Sequence, residues 1–228
     1  IEILRAQTPT LGIIGEESGG TLGEQATWYV DPLDGTTNYL HGMPHYAVSI
    51  GLVAHAGAPD AMGQPLAQDT PVVGVVYDPN REEMFTALHG VGAWLNGHRI
   101  HCTAVNEISE ALIATGIPVR SFEYLDQYLH ALKDLVLNTR GVRRQGSAAL
   151  DLCGLAAGRV DAYWEQGIAP WDVAAGCVIA REAGARVIDP YDSQASWPVK
   201  GRILACAPAI EQQLLGLVLP HMEGAPGL

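Results

Sequence analysis

The sequence predicts a mixed α/β protein built from stacked layers of sheet and helix, and three observations carry that prediction. Short β-branched and aromatic runs crowd the first half of the chain. Helical spacing of apolar residues appears in the second half, where it alternates with further short strands. Hydrophobic residues make up 48% of the 228 positions, enough for a substantial core. Strands first and alternation later fit stacked layers better than one doubly wound sheet.

The elements follow in order. Ile1-Glu2-Ile3-Leu4 reads as the tail of a helix already under way, with the expectation that an N-terminal part of the natural protein precedes it. Ile13-Ile14 forms a short strand before Gly15-Glu16-Glu17-Ser18. Thr27 to Val30 is a strand stopped by Asp31-Pro32, with Asp34 in the turn. His45 to Val53 is apolar on both faces, as in a buried strand. Residues 56–70, rich in Ala, Gly, Pro and Gln, form a surface loop open to a lid or subunit-contact role. Val72–Tyr77 and Glu83–Leu88 are strands joined through Asp78-Pro79-Asn80, and Asn96-Gly97 marks a hairpin. Leu112–Thr115 is a strand. Phe122, Leu125, Leu129, Leu132 and Val136 define one face of an amphipathic helix with Ser121 as N-cap. Residues 147–157 form a helix of small residues, and Val160–Trp164 a strand. Pro170–Ala183 is a helix with Pro in its first turn and Gly184 beyond its end. Strands at Arg186–Ile188 and Ile203–Cys206 and a helix over about Ala209–Leu219 complete the chain. Residues 1–228 read as one domain, with one group of strands over about 1–110 and a second sheet with helices over about 111–228.

Charge and cysteines narrow the function. A net charge of −12 and a pI near 4.9 argue against nucleic acid as partner. Small phosphorylated substrates stay open, because bound divalent cations reverse the sign of a carboxylate cluster locally. Cys102, Cys153, Cys177 and Cys206 are far apart in apolar surroundings and read as buried reduced thiols. With no visible signal peptide and no apolar run of about 18 residues, a cytoplasmic location without membrane association is the expectation. His98, His101 and Cys102 read as exposed or core residues rather than a zinc site. Neither a dinucleotide fingerprint nor a nucleotide P-loop occurs.

Chemistry concentrates in Asp31-Pro32-Leu33-Asp34-Gly35-Thr36-Thr37-Asn38. Two carboxylates lie three residues apart at a strand end, with a Pro fixing the backbone between them and a Gly permitting the bend that follows. The Leu33 carbonyl is placed to share their space. Oxygen-only ligands suit a hard cation such as Mg²⁺. Thr36–Leu40 opens a helix whose first N–H groups can face an anion. Glu16 follows one short strand, and Asp172 stands in the first turn of a later helix.

Gly15-Glu16-Glu17-Ser18, the Asp31–Asn38 run and Trp171-Asp172, in that order, resemble the inositol monophosphatase family of lithium-sensitive, magnesium-dependent phosphatases. The likeness runs from Gly15 to about Pro208 and includes Gly74-Val75-Val76-Tyr77, Asn96-Gly97 and Gly184. It implies a layered αβαβα sandwich of the sugar-phosphatase type and a homodimer. It also implies a first Mg²⁺ held by Glu16, Asp31 and the Leu33 carbonyl, and a second held by Asp31, Asp34 and Asp172, with Mn²⁺ as a substitute and Li⁺ as an inhibitor at the second position. Gly35 and Thr36 would offer N–H groups to phosphate, and the Thr36 hydroxyl would orient the attacking water, so that Thr36 and Asp34 are the catalytic candidates. Glu165 would hydrogen-bond a polyol ring beside a wall of Gly146, Ser147 and Ala148, while Glu17 is not expected to be a ligand. The family's upstream acidic element, which helps bind a third metal and activate water, falls before residue 1, so two metals are expected with room for a third, and the general base is unnamed. The implied reaction is hydrolysis of a phosphorylated polyol or sugar, foremost inositol monophosphate to inositol and phosphate. Fructose-1,6-bisphosphate, histidinol phosphate and adenosine 3′,5′-bisphosphate are alternative substrates. A regulatory or binding protein on a phosphatase fold is the alternative of another class, since some bacterial relatives also bind transcription machinery; Arg140, Arg143 and Arg144 could form a small basic patch for it, though a solvated face or a subunit-contact edge is the first reading of those arginines.

Overall fold

The computed structural model describes residues 1–60, 63–117, 122–192 and 194–222. After helix α1 (Glu2–Gln7) the chain builds an eight-stranded sheet from β1 (Gly12–Gly15), β2 (Gly19–Thr21), β3 (Ala26–Asp34), β4 (Ala47–Ala54), β5 (Thr70–Asp78), β6 (Glu83–Leu88), β7 (Gly92–Leu95) and β8 (His98–Arg99). Their order is β2-β1-β3-β4-β5-β6-β7-β8, with a short helix α2 (Thr36–Leu40) between β3 and β4. The second half adds β9 (Leu112–Thr115), α3 (Leu125–Asn138), β10 (Gly141–Arg143), α4 (Ala148–Ala156), β11 (Ala162–Gln166), α5 (Pro170–Glu182), β12 (Arg186–Ile188), β13 (Arg202–Cys206) and α6 (Glu211–Met222). Its five strands form a separate sheet in the order β10-β9-β11-β13-β12.

Helices α4 and α5 lie between the sheets, and α3 and α6 pack together beyond the second one. On the outer face of the first sheet, Trp28 Nε1 donates to Thr8 Oγ1, just after α1, at 3.0 Å. The layers are therefore helix, sheet, helix, sheet, helix, as expected.

What lets α5 settle on the first sheet is the smallness of the inner face. Gly51 of β4 and Gly74 of β5 have no side chain where a Cβ would stand 2.6 Å from Ala175 N and 2.5 Å from Ala175 O, respectively. Both glycines permit close backbone approach, and Ser49 of β4 donates its hydroxyl to the Trp171 carbonyl at the start of α5.

Several sequence expectations shift. The strand begun at Thr27 does not stop at Asp31-Pro32; β3 runs to Asp34, which pairs with Ala47. The β2 edge strand, Gly19-Gly20-Thr21, has none of the β-branched enrichment that marks a strand and is formed by antiparallel pairing with β1. His45 lies outside β4, with a left-handed φ of 85°. The described residues of the 56–70 segment leave from the Ala54 end of β4, which pairs with Ala26, at the opposite end of the β3–β4 ladder from Asp31 and Asp34. Asp69 ties it there, accepting from the Ala56 N–H at 2.9 Å, while its backbone carbonyl accepts from Ser196 Oγ. All four cysteines are free thiols, three buried and Cys102 half-buried. Among the described residues, no helix is long and apolar enough to cross a membrane.

The α3 face is a correction. The stripe through Phe122, Leu125, Leu129, Leu132 and Val136 was expected to be the apolar, core-facing side. Instead Phe122, Leu129 and Val136 are 65%, 47% and 56% exposed, and the helix buries Tyr128, Ala131 and Leu135. Tyr128 decides this, because its ring stacks on the buried Trp164 of β11 with centroids 5.0 Å apart. Ser121 lies outside the described residues; the helix starts after Tyr124 without a side-chain cap. Leu135→Ala should therefore cost about 2–5 kcal/mol of stability, whereas Val136→Ala should stay within about 0.5 kcal/mol. Urea denaturation of the two variants measures both; equal losses would contradict this orientation of α3.

Candidate active site

A three-residue step along a regular strand points two side chains to opposite faces. Asp31 and Asp34 escape that rule. Asp31 pairs with Ser49 and Asp34 with Ala47, so β3 spends three residues where β4 spends two. The extra residue, a bulge at Pro32-Leu33, brings both carboxylates to the inner face beneath the starts of α4 and α5.

Three carboxylates then converge. Oxygen atoms of Glu16, Asp31 and Asp172 all lie within 4.8 Å of one another. Glu16 follows β1, and its N–H donates to the Val30 carbonyl at 3.2 Å, which holds it beside β3. Asp31 accepts from the Leu33 N–H at 2.8 Å. Asp172, in the first turn of α5, accepts from the Ala169 N–H at 2.7 Å. Glu17, adjacent in sequence, instead lines a cavity of about 230 Å³ with Val30, Pro32, Val48 and Ile50.

Asp34 is not in this trio. Its Oδ2 accepts from Ser147 Oγ at 2.6 Å and from the Ala149 N–H at 2.8 Å, so the N-terminus of α4 holds it. The Leu33 carbonyl accepts from the Thr36 hydroxyl at 2.9 Å, leaving its second lone pair for another partner. Gly35 has a φ of 93°, and a Cβ there would stand 2.9 Å from the His45 carbonyl and 3.2 Å from that of Gly146. A glycine is required on both counts. The contact also sets the start of α2 directly against the Gly146-Ser147-Ala148 segment.

Sequence reasoning passed over Asn38. Its side-chain N–H groups reach the carbonyls of His45 and Gln145, both at 2.8 Å, and so join α2 to the chain entering α4. Its position in the Asp31–Asn38 run was visible, but its partners are 7 and 107 residues away. Asp151, buried on α4, was also missed; it accepts from Gln145 Nε2 at 3.1 Å and has His45 Nε2 3.5 Å away.

The electrostatics follow from crowding. Burial first, then Asp34, pushes the Asp31 carboxyl up to about 8. Burial also lifts Asp34 to about 8, against the opposing hydrogen bond from Ser147 and with Asp172 adding to the rise. Glu165 rises to about 7, mainly through burial. Such a set, all oxygen and destabilised when ionised, fits a hard divalent cation. Glu16, Asp31 and Asp172 could hold one directly, with Asp34 beside them.

The inositol monophosphatase family model matches residues 1–223. The chain belongs to the inositol monophosphatase family. It is 43% identical to an inositol-1-monophosphatase from Synechocystis sp., an alignment covering 94% of this chain and 70% of that protein. It is 39% identical to the Nus factor SuhB of Pasteurella multocida over 98% of this chain and 79% of the relative. Among solved structures, an inositol monophosphatase from Anabaena (Nostoc) sp. superposes with a TM-score of 0.79 at 40% identity, covering 96% of this chain and 82% of that one. Membership in this family of metal-dependent phosphatases agrees with the carboxylate cluster.

The raised carboxyls predict how the metal-free protein responds to pH. Asp31 and Asp34 keep their protons up to about 8 when folded, against an ordinary value of 3.8. Between those values the folded chain binds more protons than the unfolded one, so its stability is fully present at the low end and is lost as pH rises through the window. Thermal melts in chelator should show the midpoint falling from pH 5 to pH 8, and a divalent cation should restore it at pH 8. A midpoint insensitive to both would refute the cluster as a cation site.

Proposed function

We propose that this chain is a Mg²⁺-dependent phosphomonoesterase acting on polyol or sugar phosphates, with inositol monophosphate as the favoured substrate. The observation that carries the reading is the convergence of Glu16, Asp31 and Asp172 on one small volume, with Asp34 and the start of α2 alongside. Magnesium or manganese ions held there would lower the pKa of a bound water and stabilise charge on the phosphoryl oxygens.

The chain's own residues do the positioning. Gly35, the N-cap of α2, and Thr36, its first residue, would offer their N–H groups to phosphate oxygens. The Thr36 hydroxyl gives its proton to the Leu33 carbonyl, so its oxygen remains an acceptor that can orient a water. The wall Gly146-Ser147-Ala148 flanks that space, and Ser147 also fixes Asp34. Glu165 supplies an acceptor for a hydroxyl of the leaving group. Of the wider alternatives, substrates that present a second phosphate there are less suited to that carboxylate through like-charge repulsion, whereas histidinol phosphate, which carries an ammonium group, stays open. Relatives named Nus factors supply the second reading, a regulatory or binding role. The convergence of Glu16, Asp31 and Asp172 supports a cation-dependent role, which the hydrolytic reading uses and a purely regulatory one does not require.

Phosphate release should require Mg²⁺ or Mn²⁺, vanish in chelator, and be largely lost in Asp34→Asn with the fold unchanged. Full turnover by Asp34→Asn under limiting Mg²⁺ would overturn the assignment. Glu165→Gln should lower kcat/KM on inositol monophosphate by roughly tenfold to a hundredfold, the equivalent of about 1.5–3 kcal/mol for a hydrogen bond to a charged group. An aryl phosphate, with no ring hydroxyl to lose, should respond much less; equal losses would remove the case for a polyol.

A further inference from the structure

Glu165 sits in a seat built by two residues outside the metal and phosphate set. Tyr163, two positions earlier on β11, shares its face of the strand. Tyr163 is fully buried, and its hydroxyl donates to Glu165 Oε2 at 2.5 Å. Gly116 follows β9 on the neighbouring strand, one step beyond the Trp164–Thr115 pair and therefore opposite Glu165. A Cβ on Gly116 would stand 1.8 Å from Glu165 Oε1 and 2.2 Å from Oε2. Gly116 is not among the glycines with left-handed backbone. Its missing side chain therefore serves space rather than chain conformation: the carboxylate occupies the place a side chain would take.

We propose that Tyr163 and Gly116 are positioning residues that set the polyol selectivity of the site by fixing the Glu165 carboxylate. Tyr163 occupies one of the two acceptor positions of Oε2 and anchors that oxygen. Among the described residues nothing hydrogen-bonds Oε1, and Glu165 is only half-buried, so Oε1 is the acceptor left for a donor from outside the protein. A carboxylate with one oxygen committed and the other open selects leaving groups that carry a neutral hydroxyl beside the ester. It disfavours those that present a second phosphate or a carboxylate there, through like-charge repulsion. The packing against Gly116 and the bond from Tyr163 order the side chain before substrate arrives, so less is lost on binding.

This inference rests on the proposed reading of Glu165, and its test has one arm that does not depend on catalysis. Tyr163→Phe deletes only the hydroxyl. The ratio of kcat/KM on inositol monophosphate to that on an aryl phosphate should fall about tenfold. The double variant Tyr163→Phe/Glu165→Gln should fall no further than Glu165→Gln alone, because one residue acts through the other. Gly116→Ala, which keeps an allowed backbone, should lower the same ratio by displacing the carboxylate. Additive losses in the double variant, or an unchanged ratio in Tyr163→Phe, would overturn the proposal. In the metal-free protein, a ¹³C carboxyl titration should show Glu165 moving to higher pH in Tyr163→Phe, since a donor to the ionised form is gone. An unmoved titration overturns the seat whether or not the protein hydrolyses either phosphate. Absence of hydrolysis together with the shifted titration would instead preserve the seat and reject the phosphatase reading.

Discussion

The site depends on one irregularity in one strand. If β3 kept a regular pleat, Asp31 and Asp34 would face opposite sides of the sheet, and no side-chain rearrangement could bring them together. The bulge between them, three residues against two on β4, places both on the inner face. Pro32 suits that position because it removes a backbone donor where ladder pairing is broken. Everything else at the site is arranged around this pair. Glu16 arrives because β1 runs parallel beside β3, with Gly15 opposite Val30. Asp172 arrives because α5 lies directly on the sheet, which the bare inner positions Gly51 and Gly74 allow.

Bringing acids together is costly in a low dielectric, and the fold answers it in two ways. Asp34 is held by the N-terminus of α4, through the Ser147 hydroxyl and the Ala149 N–H. Asp172 reaches back to an N–H at the start of α5. The middle helical layer thus presents helix N-termini, with their partial positive charge, to the carboxylates of the first sheet. This offsets part of the repulsion but leaves Asp31 and Asp34 pushed up to about 8. The remainder is an electrostatic demand that a bound cation would meet. Asn38 links the two sides of the arrangement by bonding α2 to the segment that enters α4. The turn that opens α2 and the helix that holds Asp34 are therefore tied to one another.

Much of this was legible along the chain. The run Asp31–Asn38 names a carboxylate pair, a Gly and the helix start after it, all within eight consecutive positions, so local order alone encodes it. Most strands could be read from β-branched clusters, and the small residues of α4 and the Pro opening α5 marked the middle layer. The failures share a cause. Asp34 was read as a turn residue because Pro32 looks like a stop, yet pairing with Ala47 extends the strand past it. The face of α3 was assigned by the helical spacing of Phe122, Leu125, Leu129, Leu132 and Val136, yet the helix turned Tyr128 inward to stack on Trp164, which is 36 residues further along the chain and whose burial no local pattern reveals.

The sequence by itself determined the acidic, oxygen-rich character of the site, most of the elements and the family, because these reside in residue type and short spacing. Tertiary structure decided which of those residues meet. Glu16, Asp31 and Asp172 come from three separate elements, and their convergence follows from strand pairing and the close seating of α5. It also decided that Asp34 is held by α4 rather than grouped with the trio, and that Glu165 leans on Tyr163 and into the space at Gly116. Contacts of that kind depend on backbone placement across the sheet and on volume left empty elsewhere in the chain, and neither is written in the neighbours of the residue concerned.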